Sequence, residues 1–545
     1  MDQLPQELIS KICSYLPEDD LPNIYYVSTK FRKSAEDQAK WHRRGIWELT
    51  KKNKQSFLND YSGFRLRYLY EVKFNPYFPK LDVNNCGCCE STDEQHEKDQ
   101  MFTEQIQDLF ATLKTVEERA GERNRGNYRL TIYSPYQDWS GQPCNHRKHM
   151  YWRTHLLEPE TLPELMSVRY LGIENGHFEA KLDYRILIDL STRLPNLGSL
   201  ECHIGADEWT PSYQDAPAKC TTWEYDGPRR DTRHDFGKAI TTTNIPRSLW
   251  RVDLDFLCRR AMAEADSIHH WKTMPNLVSP ATKDPFSTSL RILSSFLRVL
   301  TIRAQVDDSL FWPEDGSTPN WPYLQNVSIM FHMVSPSGAW FFEGPRGEGR
   351  ESIGYEVNES SYPPLEPTDD DDVFDWECNQ WHSSFESTSQ YWFRISPNEK
   401  ILGPFLASFA KAATNMPKLE KAVLWSPLKW DVENDDNLPS EAFNYFEPPG
   451  YIQGDYYAED LAWGLAYHFP RASTAFAKNP GEVKCEARQI WWKVGKWRPN
   501  PELHDLFHQI GRKEHGEALK EHWDDDKFSQ ELVWRGYFDH WTPDE

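Results

Sequence analysis

The chain has 545 residues, and 61 Lys and Arg stand against 84 Asp and Glu, giving a formal net charge of -23. Binding to phosphates needs a basic surface, so this balance argues against nucleic acid and against an anionic membrane as partners. Apolar residues make up 39 % of the chain and charged residues 27 %, which is typical of a folded protein with several domains or one long repeat array.

The first fifteen residues carry Asp2 and Glu7 and lack a basic start followed by an apolar run, so no secretion signal is expected. The 10 cysteines are sparse for this length, which favours reduced thiols. We therefore expect a cytoplasmic or nuclear location.

The segment between Leu4 and Trp47 holds more large apolar side chains than three short helices can bury. Pro5 suits the first turn of a helix, and the apolar residues up to Leu16 have helical spacing. Asp19 or Asp20 is a candidate cap for a second helix, and Ser28 for a third. Either the body of the chain or a separate protein must cover the remaining apolar surface.

The order of residues in this segment resembles the F-box motif. The matching positions are Leu4, Pro5, Glu7, Leu8, Ile12, Tyr15, Leu16, Asp20, Leu21, Val27, Ser28, Phe31 and Arg32. The resemblance implies that residues 1–48 form a three-helix F-box that binds the Skp adaptor of a cullin–RING ubiquitin ligase. The expected adaptor-binding residues are Leu4, Pro5, Leu8, Ile12, Leu16, Leu21, Val27 and Ser28.

Six later segments share an L-x-x-L-x-L skeleton with irregular spacing. They are "ELMSVRY", "NLGSLEC", "SLWRVDL", "FLRVLTI", "YLQNVSI" and "KLEKAVL", and a Pro often stands two residues before the first Leu. The last two apolar positions alternate with polar ones, which predicts a strand with one buried face. Helical patterns precede the second and the sixth segment.

A helix followed by a short strand, repeated, is the unit of a leucine-rich-repeat solenoid, which we favour over an ordinary α/β domain with buried parallel strands. The predicted fold is thus α/β, with an F-box, an irregular leucine-rich-repeat-like solenoid and a helical C-terminal cap. Residues 49–160 are assigned to a linker and helical N-terminal cap, 161–430 to the repeat body with insertions at 205–245 and 343–390, and 431–545 to the C-terminal cap.

The sequence also predicts elements on either side of the repeat body. In residues 49–160, "MFTEQIQDLFATLKTVEERA" predicts an amphipathic helix and "YRLTIYSP" a strand. In the C-terminal region we expect helices, a hairpin and a charged helix that carries His515 and His522. The body and its Trp-rich tail look like the F-box proteins of filamentous fungi.

Two groups of thiols and imidazoles resemble zinc ligands: Cys86, Cys88, Cys89 and His96, then Cys144, His146 and His149. The pair Cys86 and Cys89 has no partner pair at finger-like spacing, so an exposed cysteine-bearing loop is the favoured interpretation and no metal or cofactor is expected. The sequence contains no H-E-x-x-H, no G-x-S-x-G and no phosphate-binding loop, so no catalytic residue is assigned.

The leading hypothesis is a non-catalytic substrate receptor of a ubiquitin ligase, with a protein target that the sequence does not name. The first alternative is an adaptor-binding scaffold without ubiquitin transfer. The others are a zinc-containing structural protein and a hydrolase hidden in the body.

Overall fold

The structure is a computed structural model that describes residues 4–38, 45–80, 89–122, 126–138, 152–174, 180–204, 225–257, 270, 273–366, 391–428, 431–432, 461–471, 485–523 and 533–534. The α-helices are α1 (Gln6–Ser14), α2 (Thr29–Gln38), α3 (Lys54–Asp60), α4 (Thr92–Ala120), α5 (Arg185–Ser191), α6 (Asp226–Thr242), α7 (Pro285–Ser294), α8 (Glu399–Ala413), α9 (Pro501–His508) and α10 (Arg512–His515). Short 3-10 helices span Glu18–Tyr26, Gly63–Tyr68, Pro159–Thr161, Asp308–Leu310 and Glu359–Ser361.

The strands are β1 (Gly45–Leu49), β2 (Leu69–Phe74), β3 (Tyr128–Tyr133), β4 (Val168–Glu174), β5 (Ser199–His203), β6 (Arg251–Asp255), β7 (Pro275–Asn276), β8 (Val299–Ala304), β9 (Asn326–Phe331), β10 (Phe342–Glu343), β11 (Tyr355–Glu356), β12 (Tyr391–Trp392), β13 (Ser396–Pro397), β14 (Lys421–Leu428), β15 (Asp431–Val432), β16 (Leu461–His468), β17 (Arg488–Lys493), β18 (Leu519–Trp523) and β19 (Val533–Trp534).

In the part of the chain that the structure describes, one large sheet of 13 strands organises the body. Its order is β1-β2-β3-β4-β5-β6-β8-β9-β14-β16-β17-β18, and β19 also pairs with β16. The strands from β1 to β14 are parallel to their neighbours, whereas β16 is antiparallel to both β14 and β17. The chain is therefore a mixed α/β protein with a sheet that is mostly parallel.

Two ladders of apolar side chains run across the parallel strands on the buried face of the sheet. In-register partners form the first ladder from Leu130, Leu171, Leu200, Val252, Leu300, Val327 and Ala422, and the second from Ile132, Ile173, Cys202, Leu254, Ile302, Ile329 and Leu424. All of these side chains are buried in one cluster. Fully burying one such aliphatic side chain stabilises the fold by about 1.5–3 kcal/mol, so the ladders are a main source of cohesion.

The backbone just before these strands forms a second continuous connection. Each amide donates to the carbonyl oxygen of the previous unit, in the pairs Gly198 to Arg169, Trp250 to Gly198, Arg298 to Trp250, Gln325 to Arg298 and Glu420 to Gln325. The first leucine of each of the six sequence segments lies close to these bonded residues in the chain and is buried, namely Leu165, Leu197, Leu249, Leu297, Leu324 and Leu419. The six predicted strands are confirmed, and they follow one another in the sheet in chain order.

Helices cover the apolar face of the sheet, because their buried side chains belong to the same cluster as the ladders. The amphipathic helix predicted from residue 101 is confirmed as part of α4, which buries Phe102, Ile106 and Val116. It begins earlier than predicted, since Ser91 and Glu94 form a reciprocal capping box at its start.

The sheet extends beyond the predicted body at both ends. It begins at Gly45 instead of residue 161, because β1, β2 and β3 add parallel strands that lack the L-x-x-L-x-L skeleton. At this end of the sheet, half-buried Trp47 on β1 packs against Phe57 and Tyr61, beside the buried leucines Leu49 and Leu69.

The C-terminal region was predicted only in part: the expected helices are present as α9 and α10, and β16 and β17 form an antiparallel pair as a hairpin would, but these strands belong to the large sheet. Strands β16, β17 and β18 continue the sheet, with α9 and α10 between the last two. His522 lies on β18 and its ring stacks on Trp491, with ring centroids 3.8 Å apart, so it is not on a charged helix. Pairing with β17 decides this conformation, and local charge periodicity does not reveal such long-range pairing.

The predicted insertion at 205–245 contains the buried helix α6. The sequence analysis did not identify this helix, because charged residues on it are paired inside the protein. Arg233 Nη2 lies 2.8 Å from the Oδ2 of Asp284, and both side chains are fully buried. In the second predicted insertion, Tyr362 stacks on Trp152. The acidic run Asp369–Asp372 lies outside the described residues.

Within the part of the chain that the structure describes, no helix combines the length and the apolar character needed to cross a membrane.

Replacing Leu254 by Ala should lower the free energy of unfolding by about 2–5 kcal/mol, because it opens a cavity in the middle of a ladder. Urea denaturation followed by tryptophan fluorescence measures this change. Ile353→Ala is the matched control, because that side chain is 80 % exposed and its loss should change stability by less than about 0.5 kcal/mol. Equal effects of the two substitutions would contradict the role given to the ladder.

Candidate functional site

Helix α1 carries two apolar stripes that face different surroundings. Ile9 and Cys13 are fully buried and form a small core with Leu21, Phe31 and Ala35. This core is separate from the large cluster of the body. The N-terminal helices therefore have their own interior and do not need the sheet to cover α1.

Polar contacts fix α1 against α2. The Gln6 side-chain amide donates to the carbonyl oxygen of Lys30 at 3.0 Å and to the hydroxyl of Ser34 at 2.6 Å. The Ser34 hydroxyl also lies 2.9 Å from that of Ser10. Lys30 Nζ donates to the carbonyl oxygen of Leu4 at 3.1 Å. These bonds hold the second stripe of α1 in one orientation.

The second stripe stays in solvent. Leu8 is 49 % exposed, Ile12 42 % and Tyr15 77 %, and their spacing places them on one side of the helix. Tyr26 and Val27, at the end of the adjoining 3-10 helix, are 93 % and 47 % exposed. We call these five side chains the N-terminal apolar surface. Such a concentration of exposed apolar residues is typical of a protein-interaction site.

The structure divides the eight residues that the sequence analysis assigned to adaptor binding. Pro5, Leu8, Ile12 and Val27 are exposed, whereas Leu4, Leu16 and Ser28 are half-buried. Leu21 does not lie at the surface: it is 3 % exposed and belongs to the small core, because the 3-10 helix turns it inward. Sequence spacing missed Tyr15 and Tyr26 as candidates, although both are exposed aromatic residues.

A second candidate surface is the polar face of the sheet, opposite the apolar ladders. It is formed by side chains that alternate with the ladder residues along the strands: Glu71, Arg129, Glu174, Glu201, His203, Asp253, Asp255 and Arg303. Beyond β8 the equivalent positions are apolar. Arg303 is in register with Met330 on β9, which is in register with Trp425 on β14, and both of these side chains are buried. The polar face therefore spans β2 to β8.

Opposite charges on the polar face neutralise one another. Arg129 Nη2 lies 2.9 Å from the Oε2 of Glu201, two strands away, and Arg129 Nε lies 3.7 Å from the Oε1 of Glu71. The guanidinium can cross β4 because Gly172 has no side chain there; a Cβ at Gly172 would lie 3.1 Å from Arg129 Nη2. Arg303 Nη1 lies 3.1 Å from the Oδ2 of Asp255.

His203 is the titratable centre of the polar face. Its Nε2 lies 3.5 Å from the Oε1 of Glu201 and its Nδ1 lies 3.7 Å from the Oδ2 of Asp255. Hydrogen bonds to Asp255 and Glu201 raise the pKa of His203 from 6.5 to about 10. The hydrogen bond with His203 in turn lowers the pKa of Glu201. His203 is therefore a cation at neutral pH and part of the charge balance.

The cysteine-rich stretch takes a different form from the exposed loop expected from the sequence, as far as the structure describes it. Cys89 is 3 % exposed and packs against Tyr225. His96 lies on α4. Cys86, Cys88, Cys144, His146 and His149 lie outside the described residues.

Comparison with known proteins bears on the N-terminal helices. Residues 1–46 match the F-box-like family model. F-box domains bind the Skp adaptor of cullin–RING ligases, so the match supports an F-box protein and indicates adaptor binding. Among the curated proteins, no match to this chain was found.

His203→Gln should reduce stability in a pH-dependent way. The folded-state pKa lies above the ordinary value of 6.5, so the contribution of the imidazolium is fully present below pH 6.5 and is lost as the pH rises towards 10. Urea midpoints of both proteins at pH 6, 8 and 10 measure this difference. A gap between wild type and variant that stays constant or widens with pH would disagree with the assigned charge.

Proposed function

We propose that this chain is the substrate-recognition subunit of a Skp–cullin–F-box ubiquitin ligase. The observation that carries the proposal is the N-terminal apolar surface, which stays exposed on a segment that matches the F-box-like family model. The Skp adaptor is the partner that covers this surface. The body then binds the protein target.

Adaptor binding removes the exposed stripe of α1 from water. Leu8 and Ile12 are about half exposed, so each can contribute roughly 1–2 kcal/mol on burial, part of the 1.5–3 kcal/mol for a fully buried side chain. Large aromatic residues often dominate such interfaces, which favours Tyr15 and Tyr26 as further contacts. Leu4 and Leu16 support the small core from behind.

The body in this proposal is a leucine-rich-repeat-like solenoid that resembles those of filamentous-fungal F-box proteins. The order of its parallel strands supports this assignment, because each strand from β1 to β14 pairs with the next strand of the sheet in chain order. We assign target binding to the polar face. It presents side chains from six neighbouring strands, a surface wide enough for a folded protein.

The receptor performs no bond chemistry of its own. It raises the effective concentration of target lysines near the ubiquitin-charged enzyme of the complex, in the cytoplasm or the nucleus. The second candidate function is an adaptor-binding scaffold, which shares the adaptor contact but has no target whose abundance depends on the ligase.

Replacing Leu8, Ile12 and Val27 together by Ala should weaken adaptor binding at least about 100-fold, because it removes about 3 kcal/mol or more of apolar burial. Calorimetry with purified Skp adaptor and the full chain measures the dissociation constant. These side chains are exposed, so the variant should keep its folded stability.

The matched control replaces three exposed apolar residues of the body, Ile292, Phe296 and Ile353, by Ala. It removes comparable apolar surface and should leave the adaptor affinity unchanged. Wild-type affinity of the N-terminal variant, or equal loss in both variants, would refute the docking assignment.

The N-terminal variant should also act as a trap in cells, because it binds the target but cannot deliver it to the ligase. Proteins captured by the trap should accumulate when the cullin is inhibited. Adding Arg129→Ala, Glu201→Gln and Arg303→Ala should abolish capture, while Glu351→Ala with Lys400→Ala, an exposed ion pair on the body, should not.

If captured proteins keep their normal abundance under cullin inhibition, the scaffold function is favoured over the receptor. If capture survives the three polar-face substitutions, the target binds elsewhere on the body.

A further inference from the structure

Two histidines and one glutamate meet near the C-terminal edge of the sheet. His504 and His508 are four residues apart on α9 and therefore project from the same side of the helix, with ring centroids 4.2 Å apart. The Nε2 of His504 lies 2.8 Å from the Oε2 of Glu521, and the Nε2 of His508 lies 2.8 Å from its Oε1. Glu521 belongs to β18.

We propose that His504, His508 and Glu521 form a zinc-binding site that ties α9 to the edge strand β18. One ligand atom from each residue lies within 4.8 Å of the others. At zinc bond lengths of about 2.0–2.2 Å, the ligand atoms around one ion stand farther apart than the 2.8 Å contacts seen here, so zinc binding requires the rings to move outward. Water takes the fourth position of the tetrahedron, since the three side chains are 20–38 % exposed.

The surroundings hold these ligands in place. The indole Nε1 of Trp492 donates to the Oε2 of Glu521 at 2.8 Å and orients the carboxylate, as the hydrogen-bonded neighbours of metal ligands do. Trp523 stacks on Trp492 at 4.8 Å between centroids, and the guanidinium of Arg498 lies 4.5 Å above the Trp523 ring. The site thus has an aromatic wall on one side.

Without metal, each short contact to Glu521 needs a proton on an imidazole Nε2. Zinc takes the place of these protons on both Nε2 atoms, and each neutral ring then carries its single proton on Nδ1. The metal joins both rings to the carboxylate at once. The H-x-x-x-H spacing in "HDLFH" was a sequence signal for this pair. The third ligand, Glu521, lies on β18, which follows α10 in the chain. The sequence does not reveal that this strand returns to α9.

A second group of possible metal ligands is less suited to zinc than the α9–β18 group. Glu174, Glu201 and His203 on the polar face also lie close together. There, however, Arg129 Nη2 lies 2.9 Å from Glu201 and 4.0 Å from Glu174, so a guanidinium already occupies the position of a cation. In the α9–β18 group, by contrast, the nitrogen atoms that contact Glu521 within the described residues include no guanidinium or ammonium: they belong to the two imidazoles and to the Trp492 indole.

The role of the metal follows from its position. β18 is the last strand on the main path of the sheet and pairs in parallel with β17. Strands at the edge of a sheet have unpaired backbone groups and need protection. A zinc bridge to α9 fixes β18 in register and closes this end of the sheet.

The test uses the untagged full chain, dialysed against a chelator and then against micromolar zinc. Elemental analysis should find about one zinc ion per chain in the wild type. His508→Gln and Glu521→Gln should each lower the zinc affinity at least about tenfold. Zinc should raise the thermal midpoint of the wild type and leave both variants unchanged.

His515→Gln is the matched control, because His515 is exposed on the next helix and outside the cluster. It should bind zinc like the wild type. The metal-free midpoints of all proteins show whether a variant is folded. Zinc binding that survives both substitutions in folded protein, or that disappears instead with Cys86→Ser or His203→Gln, would overturn the proposal, as would a wild type that binds no zinc.

Discussion

The stacking of apolar side chains between adjacent parallel strands is the interaction on which the rest of the structure depends. Each member of a ladder, such as Leu200 or Leu254, touches an equivalent residue on either side. Because side chains alternate along a strand, the same register that buries the ladders places Glu201, His203 and Asp255 on the opposite face. A slip by one residue would bury these charges, so the apolar ladders also fix the polar face.

The N-terminal helices follow a different rule. Their small core, built around Ile9 and Cys13, is self-contained, and the described contact to the body includes a hydrogen bond from the Tyr68 hydroxyl to the Lys33 carbonyl oxygen at 3.5 Å. The body thus leaves Leu8 and Ile12 uncovered. The surfaces proposed for adaptor binding and for target binding therefore lie on separate parts of the chain, the N-terminal helices and the polar face of the sheet.

Sequence periodicity predicted the elements that bury leucines at regular spacing, including the strands that follow Leu197 and Leu249 and the helix that buries Phe102. It failed where pairing between distant residues decides the structure. From the sequence alone, Arg233 is expected to be a solvent-exposed charge. In the fold it is buried and paired with Asp284, which is distant in the sequence. Leu21 matches the F-box pattern, yet the turn of the chain directs it inward. Glu521 joins the two histidines of α9 only through strand pairing.

A line of backbone hydrogen bonds joins the start of one strand to the start of the next. Because these bonds align the strands, the segments between them can differ in length. Consecutive strands meet in the same register whether residues 305–325 or the much longer range 332–420 lie between them. Segment length between strands is therefore decoupled from the geometry of the sheet. Over evolution, the segments between strands can be lengthened, shortened or exchanged while the sheet keeps its geometry.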